Sequence, residues 1–250
     1  MIYCKEGAVM KKTIGIVGGM GPMATVNLMR RMIELTDAAS DQQHAHIIAD
    51  CNTNIPDRTA AILSGGEDPV PELVRSCLAL EAAGADVLVM ACNTAHYFYD
   101  RIAPFIRVPM LHMPRETARR ARALGCRRCA LLATDGTVRA GVYDAPFAAE
   151  GVELVKPDAE GQRAVMDMIY SGVKAGRRGY DVRAVRAALD RLTDCGVERF
   201  ILGCTELPIA FADYSIEASV LDPTSVLAEA ALRAAGVPVA SAVSAAPSAR

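Results

Sequence analysis

The feature that most constrains this chain is an internal echo. Gly84-Ala-Asp-Val-Leu-Val-Met-Ala-Cys92 lies over Gly196-Val-Glu-Arg-Phe-Ile-Leu-Gly-Cys204 without a gap. Each copy opens on a glycine suited to ending a helix, continues as an apolar strand and stops at a cysteine. Upstream, Ile14-Gly-Ile-Val-Gly18 and Ala130-Leu-Leu-Ala-Thr134 are both apolar runs that enter loops. Gly18 precedes Cys92 by 74 positions, and Thr134 precedes Cys204 by 70. Two halves of like layout are therefore expected. Each should carry one cysteine to the carboxyl edge of its sheet, the edge where open α/β sheets hold ligands.

The rest of the pattern agrees. Short β-rich runs fall at Thr13–Val17, His46–Cys51, Asp86–Ala91, Val108–His112, Cys129–Ala133, Val152–Val155 and Arg199–Leu202, with a weaker one at Ala218–Leu221. Helical runs alternate with them at Met23–Ala38, Pro71–Ala83, Pro114–Leu124, Gly161–Lys174, Val182–Thr193 and Ser225–Ala234. Pro22, Pro71 and Pro114 sit where a first helical turn tolerates a missing donor. Gly84, Gly125, Gly196 and Gly236 follow helices, as left-handed caps should. Apolar strands alternating with amphipathic helices imply parallel βαβ units with both sheet faces covered.

Composition narrows the function classes. With 27 basic and 29 acidic side chains the net charge is −2, and 52% of the 250 residues are apolar. That excludes a disordered chain and a polybasic nucleic-acid binder. No apolar run reaches the roughly 18 residues of a membrane span, and no secretory signal opens the chain. A cytoplasmic location follows as an expectation. There the eight cysteines would stay reduced, leaving core filling, metal ligation or nucleophilic and acid–base chemistry as their uses. Residues 1–9 and 241–250 read as flexible ends.

Cys92 stands in Ala-Cys92-Asn93-Thr94-Ala-His96, and Cys204 in Gly-Cys204-Thr205-Glu206-Leu-Pro. A buried cysteine is usually inert, but polar residues follow both thiols where a strand turns into a helix. Backbone N–H groups and a helix dipole there would favour thiolate. Ionising an ordinary thiol at neutral pH costs only about 2 kcal/mol. Two thiols facing each other suit one task well: one takes a proton from a carbon while the other delivers one to the opposite face. Zinc fits less well, since it needs three or four closely spaced ligands and no His adjoins Cys204. His96, four residues after Cys92, stands within reach of the site. His44, His46 and His112 read as structural, as do Cys77, Cys195 and the pair Cys126 and Cys129. Cys51, at a strand end, is a further thiol of interest.

Two other features bear on a ligand. Gly19-Met20-Gly21-Pro22-Met23-Ala24 formally fits a dinucleotide turn, with Asp50 where a ribose-binding acid would stand. Yet Pro22 removes a donor from the helix start, and a turn lining a small anionic substrate is the competing role. Arg58, in a loop after the second strand, and Lys174, at a helix end, are candidate cations for carboxylates, Arg through two parallel bonds.

Taken together, Gly18-Gly19-Met20-Gly21-Pro22, Ile55-Pro56-Asp57-Arg58-Thr59, Ala91-Cys92-Asn93-Thr94-Ala95 and Gly203-Cys204-Thr205-Glu206-Leu207-Pro208 resemble the cofactor-independent aspartate/glutamate racemases, the aspartate branch most closely. The likeness runs from about Met10 to Gly236. It implies an α/β fold of two pseudo-symmetric three-layer αβα lobes with mainly parallel sheets and the active site in the cleft between them. The first lobe would comprise residues 10–113 and 222–240, and the second residues 114–221. Cys92 and Cys204 would be the acid/base pair, working without pyridoxal phosphate, metal or nucleotide. Asn93, Thr94 and Thr205 would bind the α-carboxylate and amino group, and Arg58 and Lys174 the carboxylates. Gly19 and Met20 of the first turn, Thr134 and Thr137, and Glu206 complete the expected binding set. Glu206, where glutamate racemases carry His, points to the aspartate branch, and many members are homodimers.

The expectation is therefore a racemase interconverting L- and D-aspartate, or a related acidic amino acid. The partner is a small acidic substrate, not nucleic acid or a membrane. An NAD(P)-dependent dehydrogenase built on the glycine turn is one alternative. An amino-acid-binding protein that has lost turnover is the other.

Overall fold

The computed structural model describes residues 11–240. The first four strands are β1 (Ile14–Gly18), β2 (Ile47–Cys51), β3 (Val87–Met90) and β4 (Met110–Leu111). They form a parallel sheet in the order β2-β1-β3-β4. The next four are β5 (Arg128–Leu132), β6 (Glu153–Val155), β7 (Arg199–Leu202) and β8 (Val220–Leu221). They form a second parallel sheet in the order β6-β5-β7-β8. In each sheet the second strand is the edge, the first lies beside it and the third and fourth follow, so the echo in the sequence is an echo in topology.

Helices cover the faces: α1 (Pro22–Leu35), α2 (Arg58–Leu63), α3 (Val70–Ala82), α4 (Tyr99–Ile102), α5 (Met113–Ala123), α6 (Asp135–Ala140), α7 (Asp144–Ala149), α8 (Ala159–Asp167), α9 (Arg183–Asp194), α10 (Leu207–Asp213) and α11 (Pro223–Ala234). Because strand side chains alternate, Ile14, Ile16, Val87 and Val89 face one way. They pack with Leu28 and Met32 of α1 and Leu227 and Ala231 of α11. Val17, Leu88 and Met90 face the other way, onto Leu73, Cys77 and Leu80 of α3. In the second sheet Ala130, Leu132, Phe200 and Leu202 meet α8, α9 and α10. Cys129, Leu131 and Ile201 meet Ala118 and Ala121 of α5, with Tyr143 and Phe147. This is the expected α/β fold of two three-layer lobes. Helices α5 and α11, which carry the chain between the two sheets, pack against each other.

Local chemistry explains the boundaries. Gly84, Gly125, Gly196 and Gly236 all take positive φ after helices, as anticipated. Pro22 opens α1, while Pro71 and Pro114 occupy second positions in α3 and α5. The run Val108–His112 yields only a two-residue strand. Pro109 has no N–H for the ladder, and the His112 ring accepts from Arg115 N at 3.3 Å, becoming the cap of α5. The expected single helix over Gly161–Lys174 is instead α8 followed by a π-helical turn, Met168–Val173. Its Gly172 lies against Tyr180 and Tyr214. Such widened turns are frequent at functional sites.

Candidate active site

Each sheet ends in a thiol. Cys92 follows β3 and Cys204 follows β7, both buried at 8% and 9% exposure. Both line one cavity of about 310 Å3, at the small end of ligand pockets. The first lobe contributes Met20, Gly21, Asp57, Arg58, Thr59, Cys92, Asn93 and Thr94. The second contributes Thr134, Thr137, Tyr170, Lys174, Gly203, Cys204, Thr205 and Glu206. Of the expected catalytic pair and binding set, Gly19 alone does not line it.

Gly19 has a packing role. Its φ is +87°, and a Cβ there would come within 2.3 Å of the Asn52 backbone. Its N–H donates to Thr25 Oγ1 at 2.9 Å. With that donor spent and Pro22 lacking one, the glycine turn does not offer the row of free N–H groups that a dinucleotide phosphate needs. Asp50 lies elsewhere, beside a separate surface hollow of about 400 Å3 that also holds exposed Cys51, Asn52 and Arg75 and neither of the paired thiols.

The lobes meet around the thiols. Thr94 Oγ1 lies 2.8 Å from Thr137 Oγ1, and Thr134 Oγ1 lies 3.3 Å from the same hydroxyl. Tyr143, fully buried in the second lobe, donates its hydroxyl hydrogen to Asn93 Oδ1. That leaves the Asn93 amide hydrogens as its donors to the cavity. Gly136 of α6 comes so close to Thr59 of α2 that a Cβ would sit 2.4 Å from its hydroxyl.

The cations are held differently. Arg58 begins α2, whose cap is Asp57 accepting from Ala60 N at 2.6 Å. Its Nη1 donates to the carbonyls of Ile55 (3.2 Å) and Pro56 (2.9 Å), and Nη2 to Met20 (3.4 Å). Its buried Nε has no hydrogen-bond partner among the described residues. Lys174, exposed after the π-helical turn, places Nζ 4.4 Å from the ring centre of Tyr170. Tyr170, Asp57 and Thr59 were not anticipated. Asp57 carried a signal in its position as helix cap, and Tyr170 stands four residues before Lys174, one helical turn away.

One expectation about the thiols is corrected. The turn after Cys92 is a 3-10 segment, Thr94–Phe98, followed by only four residues of α4, so no long helix dipole faces that sulfur. At Cys204 the pKa moves up rather than down, through burial first and the Glu206 charge second. The Cys204 thiol donates to Glu206 Oε2 at 2.9 Å, and Thr205 Oγ1 to the same oxygen at 3.1 Å. Cys77, buried under β1 and β3, is pushed up to about 12 by desolvation. Cys126 and Cys129 are buried too, consistent with structural roles.

Two repeated parallel sheets bring thiols to the wall of one small polar cavity in a two-lobed α/β protein, and its glycine turn lacks the free N–H row of a nucleotide site. The chain belongs to the racemase family described as Asp/Glu/Hydantoin racemase, whose family model matches residues 17–231. It is thus an isomerase, and the dehydrogenase alternative falls away. It is similar to the broad specificity amino-acid racemase RacX of Bacillus subtilis, 26% identical over 86% of this chain and 95% of that one. Among solved structures it resembles Picrophilus torridus aspartate racemase, at 31% identity and TM-score 0.77, covering 92% of this chain and 96% of the other. A putative Asp/Glu racemase from Yersinia pestis gives TM-score 0.79 at 27% identity, covering 90% and 99%.

Proposed function

We propose that the protein racemises aspartate, or a closely related acidic amino acid, by moving the α-proton between Cys92 and Cys204. The observation that carries this is the single cavity lined by both thiols and by both Arg58 and Lys174. A dicarboxylate substrate needs two cationic anchors, and the guanidinium of Arg58 and the ammonium of Lys174 supply them in one wall. One sulfur, as thiolate, removes the α-proton. The resulting carbanion spreads its charge into the α-carboxylate, where Asn93, Thr94 and Thr205 are donors in a small buried space. The other sulfur, as thiol, delivers a proton to the opposite face. Burial and the Glu206 charge both favour the protonated form of Cys204, which suits it to deliver a proton. Turnover leaves the roles exchanged. The reading needs no pyridoxal phosphate, metal or nucleotide, and its setting is a cytoplasmic homodimer of chains whose lobes divide at 113/114 and 221/222.

A broader substrate range is the second reading, favoured by the carboxylates of Asp57 and Glu206 in the same wall. Circular dichroism of L-aspartate, L-glutamate and L-lysine solutions, incubated with the protein before and after iodoacetamide, decides between them. Loss of the aspartate signal that iodoacetamide blocks supports the first reading, and equal loss of the lysine signal supports the second. Unchanged spectra for all three would overturn both, and binding without turnover would mark an amino-acid-binding protein.

A further inference from the structure

His96 does not line the cavity, yet it touches the backbone that does. It follows Cys92 by four residues in the 3-10 turn and is 3% exposed. Its Nδ1 lies 2.8 Å from the carbonyl oxygen of Cys92, and its Nε2 lies 3.1 Å from the backbone nitrogen of Met113. A carbonyl only accepts and an amide N–H only donates, so the tautomer is fixed: Nδ1 carries the hydrogen and Nε2 is bare. Met113 opens α5, the helix that takes the chain from β4 to the second sheet. The ring also meets His112 edge-on at 4.9 Å, and His112 caps that same helix. Burial keeps the His96 ring neutral by lowering its pKa to about 4, so the bridge survives at the pH where thiols exchange protons.

We infer that His96 is a positioning residue for Cys92: its imidazole ties the carbonyl of the thiol-bearing residue to the first amide of the helix leading to the second sheet, holding one sulfur in register with the other. A loop end left untied would let the sulfur drift, and misplacement by about 1 Å costs on the order of 100-fold in rate. The inference rests on the reading that Cys92 moves the α-proton.

Two substitutions split the bridge. In His96→Asn the side-chain amide takes the place of Nδ1 and still donates to the Cys92 carbonyl. In His96→Gln the amide oxygen takes the place of Nε2 and still accepts from Met113. Racemisation has an equilibrium constant of one, so kcat/KM falls equally in both directions whichever thiol is disturbed. The isotope effect separates them. With α-deuterated L- and D-aspartate, slowing the Cys92 step raises the effect for the enantiomer whose proton Cys92 removes and lowers it for the other. Because each variant keeps only one end of the bridge, the expected result for both is kcat lower by about 10- to 100-fold, KM within twofold and isotope effects moving apart. Mass spectrometry of carbamidomethylation adds a readout that needs no turnover: Cys92 should change rate several-fold in His96→Gln while Cys204 does not. If the wild type leaves aspartate's optical activity unchanged, the functional reading fails, and this alkylation contrast alone judges the tether. Folded variants with unaltered isotope effects, or with both thiols alkylated at wild-type rates, would overturn the inference.

Discussion

The Cys204 thiol donates to Glu206 Oε2 at 2.9 Å, whereas the residue two places after Cys92, Thr94, bonds to Thr137 at 2.8 Å. The two halves of the echo thus differ at the position that sets the protonation of the sulfur. Burial and the Glu206 charge together raise the Cys204 pKa. In Glu206→Gln the charge is lost while the shape is kept, so thiolate forms at lower pH. The alkaline limb of the pH profile of kcat/KM should move to lower pH. Alkylation of Cys204 against pH reads the same shift directly, and a shift upward contradicts the assignment.

Removing either sulfur should stop racemisation. In Cys92→Ala and Cys204→Ala the rate is expected to fall by at least about 100- to 10,000-fold, the usual contribution of a positioned acid or base. Each variant retains one thiol and should still wash deuterium from D2O into the α-position of one enantiomer, opposite for the two variants. Proton NMR of L- and D-aspartate follows it, and near-wild-type inversion in either variant rejects the two-thiol scheme.

Arg58→Lys keeps the charge but loses the planar fork. Charged hydrogen bonds contribute about 1.5–3 kcal/mol, so KM for L-aspartate should rise about tenfold or more. A substrate with an uncharged side chain serves as the control. An equal rise for both would place Arg58 in holding the Met20 and Pro56 loops, through the carbonyls it already binds.

Gly19→Ala separates packing from binding. The left-handed φ of +87° and the Asn52 backbone 2.3 Å from a Cβ predict a loss of stability, of which backbone strain alone is about 1–3 kcal/mol. Thermal melting should show it while KM of the folded protein stays unchanged. The reverse, a raised KM at constant Tm, would return Gly19 to the substrate.

His112 is buried, and desolvation, with help from His96 and Arg115, lowers its pKa to about 3. Unfolded, an imidazole titrates near 6.5. Between these values the unfolded chain binds the extra proton, so stability is full above pH 6.5 and is lost as pH falls toward 3. His112→Asn retains a capping side chain for α5 and removes the titration. Its Tm should fall less than that of the wild type between pH 7 and 5, and parallel curves would contradict this account.

Much of the site was legible because both thiols sit at strand ends, where the apolar run stops and Asn93 or Thr205 begins. The strands themselves follow from Val, Ile and Leu content and were found to within a few residues. Helices of six or seven residues were not. Helices α2, α6, α7 and α10 are too short for a 3.6-residue period to emerge and are set by caps such as Asp57 and Thr134. Tyr143 was hidden for a different reason. It lies far from Asn93 in sequence and reaches it only through the packing of one lobe on the other. The rise in Cys204's pKa was equally out of view, since it depends on how deeply the sulfur is covered.

The shared strand order of the two sheets carries a consequence for chirality. A rotation cannot turn a chiral molecule into its mirror image, so repeating one strand order does not by itself suit the cavity to both enantiomers. A flattened carbon also has two mirror-related faces, so the walls that meet them must differ in detail. On the proposed reading each half would serve one of those faces, and Glu206 in the place of Thr94 marks where the two halves stop being equivalent.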